Sequence, residues 1–83
     1  MADTIKAKQK LEQLATRIKG RATTYDEDVK MVRAVDAGRI KNREELSRVL
    51  AKSLNKTASD VHTTLASDDG DRLADEIVSL LKD

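Results

Sequence analysis

The side chains able to do chemistry are few. The single histidine, His62, follows Ser59 by three residues and Asp60 by two. A serine, a histidine and a carboxylate can make a nucleophile when the acid orients the ring and the ring takes the serine proton. All three must then share one side. Helix neighbours three or four apart do so, and those one or two apart do not. Ser59 and Asp60 therefore point to different sides, and His62 reads as a surface residue of a short helix. The acidic stretch Asp68-Asp69-Gly70-Asp71 has part of the spacing of a calcium loop, with Glu76 at the last ligand position. The first two ligand positions fall on Leu65 and Ser67, which cannot hold the ion. Neither a glycine-rich phosphate loop nor an H-E-x-x-H motif occurs. No enzymatic activity, metal or cofactor is expected.

What remains is a chain suited to burial and binding. Of 83 residues, 39% are apolar and 37% charged, and the apolar share includes ten alanines. Cys, Pro, Phe and Trp are absent, so disulfide scaffolds and thiolate zinc sites are excluded. Chains this short usually rely on dense helix packing or on a second chain when they lack disulfides and metals. A membrane span needs about 20 apolar residues in a row, and no run here passes four. The start, MADTIKAKQK, has no apolar stretch of the signal-peptide kind. A cytoplasmic protein without membrane partners is expected, folded as a single domain over 1–83.

Apolar residues recur with helical period almost throughout. Ala7, Leu11, Leu14, Ala15 and Ile18 fall on one arc of a first segment. Ile5 lies off that arc, on an end expected to fray. Thr24-Tyr25-Asp26-Glu27 is a capping box, whose two ends can satisfy each other's free amides. Tyr25, Val29, Val32 and Val35 then form a stripe. Asn42 precedes a third segment with Leu46, Val49, Leu50 and Leu54. Thr57 and Asp60 open a fourth, with Ala58, Val61 and Leu65 on one face. A fifth begins near Asp71 and runs over 71–82. Gly20, Gly38 and Gly70 each come after a periodic stretch, where a left-handed residue can close a helix, and Asn55 fills that role once. No segment alternates with period two. The fold expected is all-α, a compact bundle of four to five short helices containing a helix-turn-helix-like hairpin.

That hairpin lies in 43–66. Within Leu50-Ala51-Lys52-Ser53-Leu54-Asn55-Lys56-Thr57-Ala58-Ser59-Asp60-Val61, Ala51 is small enough for a second helix to cross closely. Asn55 can make the turn, Thr57 can cap the second helix, and Val61 can plug the gap between the two. Ile40 would pack near the start of the first of them. In these positions residues 46–65 resemble the helix-turn-helix of bacterial DNA-binding domains. The resemblance implies that the second helix enters the major groove of double-stranded DNA and presents Thr57, Ser59, His62 and Thr63. None is arginine, the commonest base reader. Phosphate contacts would then carry the affinity, with Arg43, Arg48, Lys52 and Lys56 as candidates.

The net charge of +1 hides a cancellation. Residues 1–22 and 39–56 each carry +4, residues 23–38 carry −2, and residues 57–83 carry −5. Either the basic segments face a phosphate backbone, or the acidic last segment neutralises them within the fold or across a dimer. The last segment has an apolar arc wider than one core contact requires. A homodimer through Leu73, Ile77, Val78, Leu80 and Leu81 is expected from that excess. The sequence thus points to a small nucleic-acid-binding protein, a DNA-binding regulator or accessory factor acting as a dimer. Its alternative is a helical module that binds a protein partner as an adaptor, inhibitor or antagonist.

Overall fold

Every helix begins on a side chain that takes up a free backbone N–H. In the computed structural model, which describes residues 2–82, the helices are α1 (Thr4–Lys19), α2 (Tyr25–Asp36), α3 (Arg43–Leu54), α4 (Ala58–Leu65) and α5 (Asp68–Leu81). Asp3, Thr24, Asn42, Thr57 and Ser67 are the caps, accepting from the amides of Lys6, Glu27, Glu45, Asp60 and Gly70. Thr24 and Thr57 form full capping boxes with Glu27 and Asp60. Such caps contribute about 1 kcal/mol each, which matters in a chain with so few large apolar residues. The expected all-α bundle is the fold, and no strand occurs among the described residues.

Helix α1 is central. It packs most extensively on α5 and also touches α2, α3 and α4. Leu11, Leu14, Leu46, Leu50, Val61 and Ile77 are essentially inaccessible, and Ile40 joins them from the loop before α3. The start of α1 does not fray as the sequence suggests. Asp3 caps it, and the Asp3 amide donates to the Leu80 carbonyl at 2.8 Å, tying it to the end of α5. Ile5 is nonetheless 73% exposed.

Two expectations are corrected by the packing. The first concerns α2. Its core face is Met31, Ala34 and Val35, while Tyr25 is 81% and Val32 37% exposed. Val35 belongs to both arcs, which is why the outer stripe resembles a buried one in the sequence. The second concerns Gly70. Gly20 and Gly38 do end helices in left-handed conformation, at φ 73° and 70°. Gly70 instead lies inside α5, buried, three residues after the Ser67 cap. Helix α5 consequently starts at Asp68 rather than near Asp71. A β-carbon on Gly70 would lie 1.9 Å from the Thr64 carbonyl oxygen. The glycine is there so that α5 can leave the end of α4 after a two-residue connection.

The acidic last helix folds back onto the basic ones. Arg17 meets Asp69, Lys10 meets Glu76, and Arg43 meets Asp71 and Asp75. Most of these groups are exposed, where ion pairs contribute little. The Lys19–Glu27 pair joining the end of α1 to the start of α2 differs, with side chains only 4% and 14% exposed. The Lys19 ammonium, then the Thr24 amide, hold the Glu27 carboxyl down to about 2, from an ordinary 4.5. A carboxylate depressed in this way binds fewer protons folded than unfolded. Its contribution is complete above the unfolded value and disappears as pH falls through the folded one. The melting temperature should therefore fall as pH drops from about 4.5 toward about 2. Glu27→Gln should show a shallower fall in circular-dichroism melts across that range. Equal slopes for the two proteins would assign the acid sensitivity elsewhere.

Candidate nucleic-acid interface

The residues that open α3 also place its charged surface. Asn42 caps the helix at 2.9 Å from the Glu45 amide. The Arg39 amide donates to the Ala34 carbonyl at 3.1 Å, closing the end of α2. Between these two anchors Ile40 is buried, so Arg39 and Lys41 on either side of it stay exposed. Leu46, Leu50 and Leu54 fix the inner face of α3. Arg48 and Lys52 project from its outer side. Arg39, Lys41, Arg48 and Lys52 line one concave surface with Asn42, Val49 and a single acidic residue, Glu45.

The candidate cations divide into two groups. Arg43 is engaged by α5. Its Nη1 donates to Asp71 Oδ1 at 2.9 Å and to Asp75 Oδ1 at 2.8 Å. The Asp71 hydrogen bond, then that of Asp75, hold the guanidinium above its ordinary value. Arg43 is thus set apart from the concave surface and neutralised by the chain itself. Arg48 meets Glu44 at 2.7 Å and Glu45 at 3.2 Å, but it is 66% exposed and these are i,i+4 and i,i+3 surface pairs. Pairs of that kind are worth a few tenths of a kcal/mol, so a phosphate can displace them. Among the described residues, Arg39, Lys41, Lys52 and Lys56 are exposed and no acidic side chain engages them.

The turn after α3 has the local geometry the residues suggest. Asn55 is left-handed at φ 54°, ψ 46°, Thr57 caps α4, and Val61 is fully buried between helices. Helix α4 exposes Ser59, His62 and Thr63, and its cap Thr57 is exposed too. Their surroundings disfavour an anion. The Thr57 hydroxyl accepts from the Asp60 amide at 3.1 Å, and the Thr63 hydroxyl donates to the Ser59 carbonyl at 2.9 Å. His62 shares a shallow surface with Arg43, Glu44, Ser47 and Asp71. That surface lies on the α4 side of α3, about a third of a turn around the helix from Arg48 and Lys52.

The site expected from the sequence is therefore split. Arg48 and Lys52 come together with two residues outside the helix-turn-helix pattern, Arg39 and Lys41. Arg43 and His62 lie with Asp71 instead. Of the expected dimer residues, Leu73 and Ile77 are buried in the chain's own core, and Val78 and Leu81 pack partly against it. Only Leu80 is half-exposed without joining that cluster. Asp60 Oδ2 accepts from the Thr57 amide as part of a cap, Leu65 lies in the core, and the acidic stretch 68–71 belongs to the start of helix α5. Among the described residues no group of three His, Cys, Asp or Glu side chains is placed to hold a metal.

The structure thus describes a small all-α protein with a basic concavity at the α2–α3 corner. No family model, curated protein or solved structure matches the chain. Among the described residues, no helix is long and apolar enough to cross a membrane.

Proposed function

We propose that this chain binds double-stranded nucleic acid through the phosphate backbone, with the concave basic surface at the start of α3 as the contact. One observation carries the reading. Arg39, Lys41 and Lys52 converge there, while most cations of α1 and Arg43 of α3 are engaged by acidic side chains. Lys56 extends the surface toward the turn, and Arg48 joins it when phosphate replaces Glu44 and Glu45. In this reading α4 lies beside the contact and contributes little base recognition, because it offers neither arginine nor lysine. The protein is then an accessory or architectural factor of the cytoplasm with weak sequence preference, rather than a reader of one site.

Titration of a labelled duplex over a range of salt tests this. Contacts to four or five phosphates give a slope of about −4 for log affinity against log salt. Affinity should then fall about 200-fold between 50 and 200 mM salt, and scrambling the duplex sequence should change it little. Absence of binding at 50 mM salt overturns the proposal. A second reading, a module that binds protein, is favoured by the exposed apolar stripe on α2.

A further inference from the structure

Helix α2 has two apolar faces and only one is used by the core. Met31, Ala34 and Val35 point inward. Tyr25, Val29 and Val32 are spaced i, i+4 and i+7, so they stack on one side over two turns. Tyr25 is the chain's only aromatic residue, and it is 81% exposed rather than buried. Tyrosine is enriched in protein interfaces because it brings a large apolar ring with a hydroxyl that tolerates water.

The charges beside this stripe indicate what covers it. Asp26 and Arg33 are seven residues apart, so they lie on the same flank of the stripe, one near each end. Among the described residues neither engages an opposite charge within the chain. In a two-fold contact, residue i of one copy meets residue j of the other, and j meets i. An antiparallel pair of α2 helices with its axis near Val29 meets that condition. Val29 faces Val29, Tyr25 faces Val32, and Asp26 faces Arg33 twice, on the flank each copy presents. In a parallel pair the flank carrying Asp26 and Arg33 would instead lie against the opposite flank of the other copy, and the two residues would not meet.

We propose that Tyr25, Val29 and Val32 are the seam of an antiparallel α2–α2 contact between two copies of this chain. Two Asp26–Arg33 exchanges on one flank, against a single Asp28–Asp28 approach on the other, favour a second copy over an unrelated partner, which would need no such symmetry. The contact replaces the α5 dimer expected from the sequence, since Leu73 and Ile77 are occupied by the core. It does not rest on the nucleic-acid reading. Two helical turns bury less than the roughly 800 Å² per partner of a standard stable interface. The dimer should accordingly dissociate in the range of tens of micromolar.

Sedimentation equilibrium between about 5 and 500 μM tests the proposal. The expected mass rises from that of one 9.2 kDa chain toward twice that value. Tyr25→Arg should remain monomeric throughout. Asp26→Arg and Arg33→Asp should each weaken association about tenfold, and the two together in one chain should restore it, because the pair is then reversed intact. Circular dichroism should be unchanged for all of these exposed substitutions. A wild-type monomer at 500 μM overturns the proposal, as does a dimer indifferent to Tyr25→Arg. Failure of the double charge exchange to restore association overturns the antiparallel register.

Discussion

Gly70→Ala is expected to lower the melting temperature by about 12–24 °C, equivalent to about 3 kcal/mol in a domain of this size. The reason is local and opposes the usual trend. In an ordinary helix interior, alanine is more favourable than glycine by about 1 kcal/mol. At Gly70 the added methyl carbon would lie 1.9 Å from the Thr64 oxygen and 2.8 Å from its carbonyl carbon. Both are backbone atoms, so no side-chain rotation relieves the contact. The Thr64 carbonyl is also fixed, accepting from the Ser67 hydroxyl at 2.6 Å and the Ser67 amide at 3.1 Å. Relief requires α4 and α5 to separate, which opens the packing of Val61 and Leu65 on α5 and α1. A thermal melt decides the sign. Equal or greater stability in Gly70→Ala would mean that the α4–α5 corner is not as close as described.

The charge reversal Arg39→Glu with Lys52→Glu is expected to weaken duplex binding at least about 100-fold at 50 mM salt and to reduce the salt slope by about two. Each lost phosphate contact removes about one unit of slope, and each new carboxylate repels the backbone besides. Both residues are exposed and make no ion pair among the described residues, so the fold should be unaffected. The same charge change at Lys6 and Lys30, both exposed and on other helices, should cost no more than a tenth as much. That comparison separates a located contact from a general effect of net charge. Equal losses for the two pairs would rule out the concave surface as the contact.

Local rules are legible in the sequence and close approaches are not. Thr24, Asn42 and Thr57 mark helix starts because capping involves residues within three positions of one another. Asn55 and the two glycines of φ 73° and 70° mark helix ends for the same reason. Gly70 has the same residue type for a different cause, contact between two helices, and sequence spacing does not separate the two. The α2 stripe misleads because Val35 belongs to both arcs, so its spacing with Tyr25, Val29 and Val32 passes for the core face.

The site shows the same division. Lys52 and Arg48 are legible from their places on the outer side of α3. Arg39 and Lys41 carry a usable signal, since they flank the apolar Ile40, but they fall outside the helix-turn-helix pattern that selects the other candidates. The path of α5 has no local signal at all. Its aspartates reach Arg43 across 28 and 32 residues, and that pairing removes one candidate cation while leaving Lys52 free.

The most direct measurement is the change in backbone amide NMR shifts on adding a short duplex at low salt. The largest changes are predicted on residues 38–42 and 48–56, with those of 68–76 moving little. The largest changes on Ser59, His62 and Thr63 with small ones at Arg39 and Lys41, or no change anywhere, would contradict a phosphate contact at the α2–α3 corner.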